Sequence, residues 1–255
     1  MSRPFAVGER ALLFDSRGRR YLVTLADHGE FHTHAGFVRH AEVLGQPEGT
    51  VVRSSTGARY TAVRPTLAEF ILKMPRGAQV IYPKDLGAIL MAADIFPGAR
   101  VLEAGVGSGA LSMTMLRAGA AVTGYELRED FAAKARANVD AFVSSSAPYD
   151  VQIRDVYDGI ELRDLDRVVL DLPEPWRVVK HAEEALHAGG LLLAYLPTIT
   201  QSAQLRASLD DSRFALAETF EVLHRGWHID GQSVRPDHRM VAHTGFLTHA
   251  RLLAG

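Results

Sequence analysis

Residues 170–176 read LDLPEPW: a carboxylate, Asp171, ends an apolar run and is followed by two prolines, a second acid and a tryptophan. Proline fixes its own φ and restricts the residue before it, so Pro173 and Pro175 stiffen this segment around the Asp171 carboxylate and the neighbouring carbonyls. A second stretch, LEAGVGSGAL (102–111), sets Gly105, Gly107 and Gly109 between an apolar run and a helical pattern. Glycine there lets the backbone turn sharply and approach a ligand without a Cβ in the way. The spacing alone leaves three possibilities open: Gly105, Gly107 and Ala110 also satisfy the G-x-G-x-x-G/A dinucleotide fingerprint, and a purely structural turn would use the same glycines. Glu126, at the end of the next apolar run, suits a ribose-binding acid for either nucleotide cofactor. A hydrolase elbow is excluded, because G-x-S-x-G would need glycine where Val106 stands.

Glu103 tilts this balance. An acid two residues before the first glycine disfavours a pyrophosphate nearby, yet suits a ligand carrying a cationic amino acid and a sulfonium. With Gly105, Val106, Gly107, Ser108 and Gly109 as the loop and Glu126 after the following strand, the pattern resembles the nucleotide-binding fold of S-adenosylmethionine-dependent methyltransferases. Asp155, at the end of a third strand, is then placed to accept a hydrogen bond from the adenine amine of that cofactor; the alternative is a cap or turn residue before VYDG.

The elements that must position these groups follow from the pattern of the chain. It has 255 residues, 47 % of them hydrophobic, with no cysteine and a net charge of −2, as expected of a globular protein without disulfides, thiolate metal sites or a thiol nucleophile. No apolar run reaches the roughly 18 residues of a membrane span and the start MSRPFAVGER shows no apolar signal region, so a cytoplasmic address is the default expectation and no membrane partner is expected. Residues 1–65 hold nine arginines, no lysine and six acids, a positive excess that hints at an anionic partner such as RNA. Two alternating runs around Asp15–Gly18 and two more around Ser55–Gly57 predict a small antiparallel β domain over 1–65. Thr66 and Glu69 form a capping-box pattern that starts the helix TLAEFILKM and opens a second domain over 66–255.

From Tyr82 onwards, helices alternate with short apolar strands, predicting a mostly parallel sheet. A helix starts at Pro83. Strands are expected at 100–104, 121–126, 151–155, 167–171 and 191–197, with helices over about 108–118 and 130–143 and one ending near Gly189. The runs at 218–227 and 243–253 fit an antiparallel pair that closes the sheet. The fold class is therefore α/β: a Rossmann-like, seven-stranded class I methyltransferase domain behind a small N-terminal β domain. In such sheets ligands bind beyond the carboxyl ends of the strands, which is where Asp171 falls.

LDLPEPW resembles the D/N-P-P-Y/F/W motif of methyltransferases that act on exocyclic amines, except that Leu172 replaces the middle proline. Acceptors that pyramidalise an exocyclic amine are not needed by a ring nitrogen, whose lone pair already lies in the plane. A ring nitrogen instead yields a cationic product, which a carboxylate can stabilise or deprotonate. One unit charge at about 4 Å in an effective dielectric near 20 is worth on the order of 4 kcal/mol, or roughly 10³ in rate.

IYPKD (81–85), LEAGVGSGALS, LDLPEPW, YLPTITQ (195–201) and HTGFL (243–247), behind FHTHAG (31–36), together resemble the tRNA adenine-N1 methyltransferases that modify adenosine 58 of the T loop. The resemblance spans nearly the whole chain. It implies S-adenosylmethionine as cofactor, tRNA as substrate, a homotetramer, Asp171 as the catalytic carboxylate that also borders the cofactor, and Tyr82 and Tyr195 bordering the target base or the cofactor. Without it, each tyrosine reads equally as a packing residue. The base must leave the folded tRNA elbow to be methylated, and Arg17, Arg19, Arg20, Arg53, Arg59 and Arg64 are candidate phosphate contacts. Trp176 reads as a packing residue and Glu174 as a solvated one, though Glu174 is the main rival to Asp171. His32, His34 and His40 lack a helix register and nearby acids, so no metal is expected. A methyltransferase of another substrate class, a non-catalytic RNA-binding subunit of the same fold and a nicotinamide oxidoreductase are the competing functions.

Overall fold

The computed structural model describes residues 3–77, 79–143 and 146–254, and the chain divides into two compact units, Met1–Pro75 and Arg76–Gly255. The first unit takes in the helix that the sequence pattern assigned to the second. Its strands are β1 (Arg10–Asp15), β2 (Arg20–Thr24), β3 (Glu30–Thr33), β4 (Gly36–Arg39), β5 (Thr50–Arg53) and β6 (Arg59–Val63), followed by helix α1 (Leu67–Lys73). β1, β2, β5 and β6 form one antiparallel sheet in the order β2-β1-β6-β5, while β3 and β4 form a separate hairpin. Alternation drives the packing: Ala11, Leu13, Val52, Tyr60 and Ala62 point into one core with Val23, Val38 and Val43. Tyr21, Phe31 and Tyr60 meet edge-on or tilted in that core, with ring centroids 5.1–6.2 Å apart. The β3–β4 hairpin, which the sequence pattern did not yield, is anchored there by Phe31 and by Thr33, whose hydroxyl lies 3.1 Å from that of Tyr60.

The second unit runs α2 (Pro83–Ala92), β7 (Arg100–Ala104), α3 (Ala110–Arg117), β8 (Ala121–Glu126), α4 (Glu129–Phe142), β9 (Tyr149–Ile153), β10 (Leu165–Leu170), α5 (Val179–Ala185), β11 (Leu186–Leu196), α6 (Ile199–Asp210), β12 (Phe214–Glu221), β13 (Trp227–Asp230), β14 (Ser233–Pro236) and β15 (Phe246–Leu252). Seven strands form one sheet in the order β12-β15-β11-β10-β7-β8-β9, parallel except for β15. Central strands β7 and β10 are buried along almost their whole length, as expected of strands covered on both faces. β7 pairs with β8 on one side and with β10 on the other, so the chain changes direction across the sheet between β7 and β10. That switch point is the usual ligand crevice of an open α/β sheet.

Four expectations need adjustment. β12 starts at Phe214, four residues before the run at 218–227, and ends at Glu221, so Trp227 belongs to β13 outside the main sheet. β9 lies two residues earlier than predicted, because Val122 N–H already bonds Pro148 O and the ladder starts upstream; Asp155 therefore lies beyond the strand. β10 stops at Leu170, leaving Asp171 as the first residue past it. α5 ends at Ala185, four residues before Gly189, because Leu186 already pairs with Leu165; Gly189 (φ 89°) and Gly190 instead lie inside the strand where its register shifts. The β13–β14 hairpin was not anticipated, although its two-residue loop, Gly231-Gln232, has the glycine at the first central position that a hairpin turn favours.

The helix start inferred at Thr66 is present in full: Glu69 N–H donates to Thr66 Oγ1, and Thr66 N–H donates to Glu69 Oε2. Thr66→Ala removes half of this box and is expected to destabilise the first unit by about 1 kcal/mol, measured by chemical denaturation; an unchanged midpoint would show that α1 is held by packing of Phe70 and Ile71 alone.

Candidate active site

The site begins where β7 and β10 end side by side. Asp171 N–H donates to Ala104 O at 2.9 Å, and Gly105 N–H donates to Tyr125 O at 3.0 Å, so the ladder carries both chains to the same level before they diverge. Gly105 then adopts φ +85°, and a Cβ built on it would lie 2.1 Å from the Asp171 carbonyl oxygen. Only glycine fits, on both counts. Gly107 (φ +56°) donates its N–H to Glu126 Oε2 at 2.9 Å, and Glu126 Oε1 accepts from Arg128 N–H at 3.0 Å. Gly109 (φ +81°) starts α3 against Ala135 of α4, and Asn138 of α4 donates to Ser108 O at 2.9 Å. The loop is thus held from behind by α4 and from one end by Glu126.

Glu103, Ser108 and Asp171 face one small cavity together with Val80, Ile81 and Gly105. Glu103 is fully buried; its Oε2 accepts from Ser112 Oγ at 2.5 Å, while Oε1 has no partner among the described residues. Burial pushes its carboxyl up to about 8, with the nearby charges of Asp171 and Glu126 adding to the effect. Ser108 Oγ is likewise buried, with no hydrogen-bond partner among the described residues. Asp171 is half-buried, its carboxylate has no hydrogen-bond partner among the described residues, and burial followed by the Glu126 charge pushes it up to about 7. A glycine cradle, an orphaned buried carboxylate oxygen, an orphaned hydroxyl and an acid at the end of β8 fit a cofactor that brings a positive charge and a ribose. They fit a pyrophosphate poorly, because three carboxylates converge here without one basic side-chain partner among the described residues.

The LDLPEPW segment is fixed from three sides. Gln201 Nε2 donates to Pro173 O at 2.9 Å, Glu174 N–H donates to the Tyr157 hydroxyl at 3.1 Å, and Trp176 packs on the apolar core while its carbonyl accepts from Ser208. Glu174 pairs with Arg177 at 3.0 Å at the surface. Of the two acids in the segment, Asp171 is the one brought to the glycine loop.

Tyr195, near the end of β11, donates its hydroxyl to Thr244 O at 2.6 Å and is pushed up to about 12 by burial and by the carboxylates of Asp85 and Asp171. Tyr82 immediately precedes α2 in an extended conformation, and its phenol adds to the upward push on Tyr195. Asp155 lies at the edge of this arrangement: Oδ1 accepts from Tyr157 N–H at 2.9 Å and caps the short turn after β9, so the capping role is the one the structure displays. Two functional candidates escaped the sequence reading. Lys84 and Asp85 follow Tyr82-Pro83 as an adjacent charge pair, an ordinary-looking first helical turn, yet both side chains are buried and bonded to Thr244.

In the first unit, three of the six arginines named as phosphate contacts are already engaged. Arg19 pairs with Asp15, Arg20 with Glu69, and Arg64 with Glu9 and Glu48 while also donating to the carbonyls of Arg3 and Pro4. Arg17, Arg53 and Arg59 have no acidic partner among the described residues, and Arg53 sits directly across the ladder from Arg59. The histidines are accounted for locally: His32 lies against Glu30, His34 against Arg19, and His40 Nδ1 accepts from Ala26 N–H.

Known proteins resemble this chain over most of its length. Residues 60–235 match the family model described as the tRNA methyltransferase complex GCD14 subunit, and residues 4–52 match the TrmI-like N-terminal model. The tRNA (adenine(58)-N(1))-methyltransferase TrmI of Thermus thermophilus is 39 % identical over 94 % of this chain and 95 % of its own. TrmI of Methanocaldococcus jannaschii, a tRNA (adenine(57)-N(1)/adenine(58)-N(1))-methyltransferase, is 34 % identical over 94 % of each. Among solved structures, the tRNA (m1A58) methyltransferase TrmI of Aquifex aeolicus superposes with a TM-score of 0.86 at 30 % identity, covering 99 % of this chain and 100 % of that one. A structure described as a SAM-dependent O-methyltransferase from Thermotoga maritima superposes with a TM-score of 0.94 at 32 % identity, covering 98 % and 95 %. The chain therefore belongs to the TrmI/GCD14 family of S-adenosylmethionine-dependent tRNA (adenine-N1)-methyltransferases.

Proposed function

We propose that this protein transfers a methyl group from S-adenosylmethionine to N1 of adenosine 58 in the T loop of tRNA, with Asp171 as the carboxylate that faces the target adenine. The observation that carries this reading is Asp171 itself, one residue past β10: its backbone is locked against the glycine loop at the switch point, while its carboxylate has no hydrogen-bond partner among the described residues. The names of the relatives supply the substrate and the position.

Glu103 and Ser108 are the groups to meet the amino-acid part of the cofactor, Glu126 the ribose hydroxyls, and the Gly105–Gly109 loop the backbone between them. When bound, the cofactor supplies an electrophilic methyl group on a positively charged sulfur. Transfer of that methyl group to N1 would leave a neutral sulfide as leaving group and the positive charge on the adenine. Asp171, when ionised, stabilises that charge or takes a proton from the neighbouring amine. A group held near 7 is suited to either task at neutral pH. Tyr195 has committed its proton to Thr244 O, so it offers the base a ring face and acceptor lone pairs, with Tyr82 as the second wall.

Asp155, already capping its turn through Oδ1, would use its other oxygen for the adenine of the cofactor. The unengaged Arg17, Arg53 and Arg59 are the better candidates for tRNA phosphates, since like charges facing each other across a ladder are costly unless an anion lies between them. The domain over 1–65, or the slightly longer compact unit, is thus proposed as a tRNA contact. The β13–β14 hairpin exposes Trp227, Ile229 and Val234 by 58–73 %; such an apolar patch supports assembly into the homotetramer.

The decisive assay incubates the protein with labelled S-adenosylmethionine and unmodified tRNA and maps the product nucleoside: 1-methyladenosine at position 58 is expected, and N6-methyladenosine or an unlabelled tRNA would overturn the function. Asp171→Ala is expected to lower kcat by roughly 10³, the worth of one charge in such a site, with cofactor binding retained. Near-normal turnover would transfer the role, with Glu174 the first suspect. Glu103 gives a pH signature. Its carboxyl is raised from 4.5 to about 8 in the fold, so the folded state holds more protons across that window and its stability falls as pH rises through it. Denaturation midpoints of cofactor-free protein are expected to drop between pH 5 and 8, and Glu103→Gln to flatten that slope; an unaltered slope in the variant would place the titration elsewhere. Finally, replacing Arg17, Arg53 and Arg59 by Gln is expected to weaken tRNA binding and lower the salt slope by about 1 per lost contact. Unchanged tRNA affinity would remove this face from the interface.

A further inference from the structure

The buried charges next to Tyr82 have a role that the reaction above leaves unassigned. Asp85 is fully buried and the Lys84 side chain nearly so, and the two pair at 2.7 Å. An ammonium has three donors and no acceptor. Lys84 uses all three: Asp85 Oδ1 at 2.7 Å, Thr244 Oγ1 at 2.6 Å and Val222 O at 2.6 Å. Because Lys84 can only donate, Thr244 Oγ1 must accept from it, and the threonine's own proton goes to Asp85 Oδ2 at 2.6 Å. Every direction in the network is fixed.

The network joins the first turn of α2 to two points on either side of the β13–β14 hairpin, Val222 before it and Thr244 after it. It ends on Tyr195. The Thr244 carbonyl takes the Tyr195 hydroxyl proton at 2.6 Å, and the Tyr195 ring lies on Gly245, where a Cβ would fall 2.3 Å from Cζ. Buried ion pairs add little stability compared with apolar packing of similar volume, and their best-supported use is to impose one arrangement. An apolar contact between residues 84 and 244 would hold the segments together but would not orient a carbonyl.

We propose that Lys84, Asp85 and Thr244 form a positioning clamp for the methyl-transfer site, setting the Thr244 carbonyl so that Tyr195 meets the target base as a fixed ring wall and hydrogen-bond acceptor. This rests on the function proposed above. The three residues act through Tyr195 and do not touch the reacting atoms. Tyr82 is held by the same device from the other side, since it directly precedes the helix turn that carries the ion pair.

Thr244→Val keeps the shape and the Lys84–Asp85 pair but removes the hydroxyl that joins them to residue 244. It is expected to lower kcat for tRNA about tenfold while leaving cofactor affinity within twofold of wild type, and Thr244→Ser is expected to restore kcat to within about twofold. In a Tyr195→Phe background, where the hydroxyl link to residue 244 is already lost, the same Thr244→Val change is expected to cost less than twofold, the non-additivity of groups acting in one chain. Retained kcat in Thr244→Val, failure of the serine variant to restore it, or losses that simply multiply in the double variant would overturn the clamp while leaving the function standing. Wild-type protein that fails to methylate tRNA would remove the function, and the clamp's role with it.

Discussion

The second unit depends on one close approach: Gly105 against the carbonyl of Asp171, 2.1 Å from where a side chain would begin. Two adjacent parallel strands end together, and the chain must leave them in opposite directions without the first turn colliding with the second. A glycine at φ +85° solves both problems at once. The glycine loop and the loop that carries the candidate catalytic acid are therefore one packing unit, and neither can shift without the other.

Around that contact the electrostatics are unusual. Glu103, Glu126 and Asp171 share the crevice, none paired with a basic side chain among the described residues, and each is accommodated differently. Glu126 spreads its charge over two backbone N–H groups, Glu103 is pushed up to about 8 in an apolar wall, and Asp171 to about 7 at the mouth. A concentration of acids is costly for a protein alone and favourable for one that binds a sulfonium and makes a cationic base. The cost of the empty arrangement and the preference for a positive ligand have the same origin.

Much of this was legible in the sequence because it is local. The glycine loop, the acid at the end of β8, the capping box at Thr66 and the apolar strands β7, β8 and β10 each arise from neighbouring residues whose spacing has one good structural use. Asp155 shows the limit: the sequence left a cofactor contact and a turn cap both open, and the fold displays the cap through Oδ1, with β9 ending at Ile153. Three of the six candidate phosphate-binding arginines are bound to acids: Arg20 and Arg64 to Glu69, Glu9 and Glu48, which only the fold brings close, and Arg19 to Asp15, four residues away. Lys84 and Asp85 were invisible as a site for the same reason, since their partners Val222 and Thr244 lie 138–160 residues along the chain. Two charges in a helical first turn look solvated until the return of β15 buries them.

The most direct test of this coupling is Gly105→Ala, measured for cofactor affinity and for methyl transfer to tRNA in the same preparation. One added methyl group forces the glycine loop and the Asp171 backbone apart, so binding and turnover are expected to collapse together while the sheet remains folded. Wild-type cofactor affinity and turnover in this variant would contradict the account, because the two loops would then be independent of the contact on which it rests.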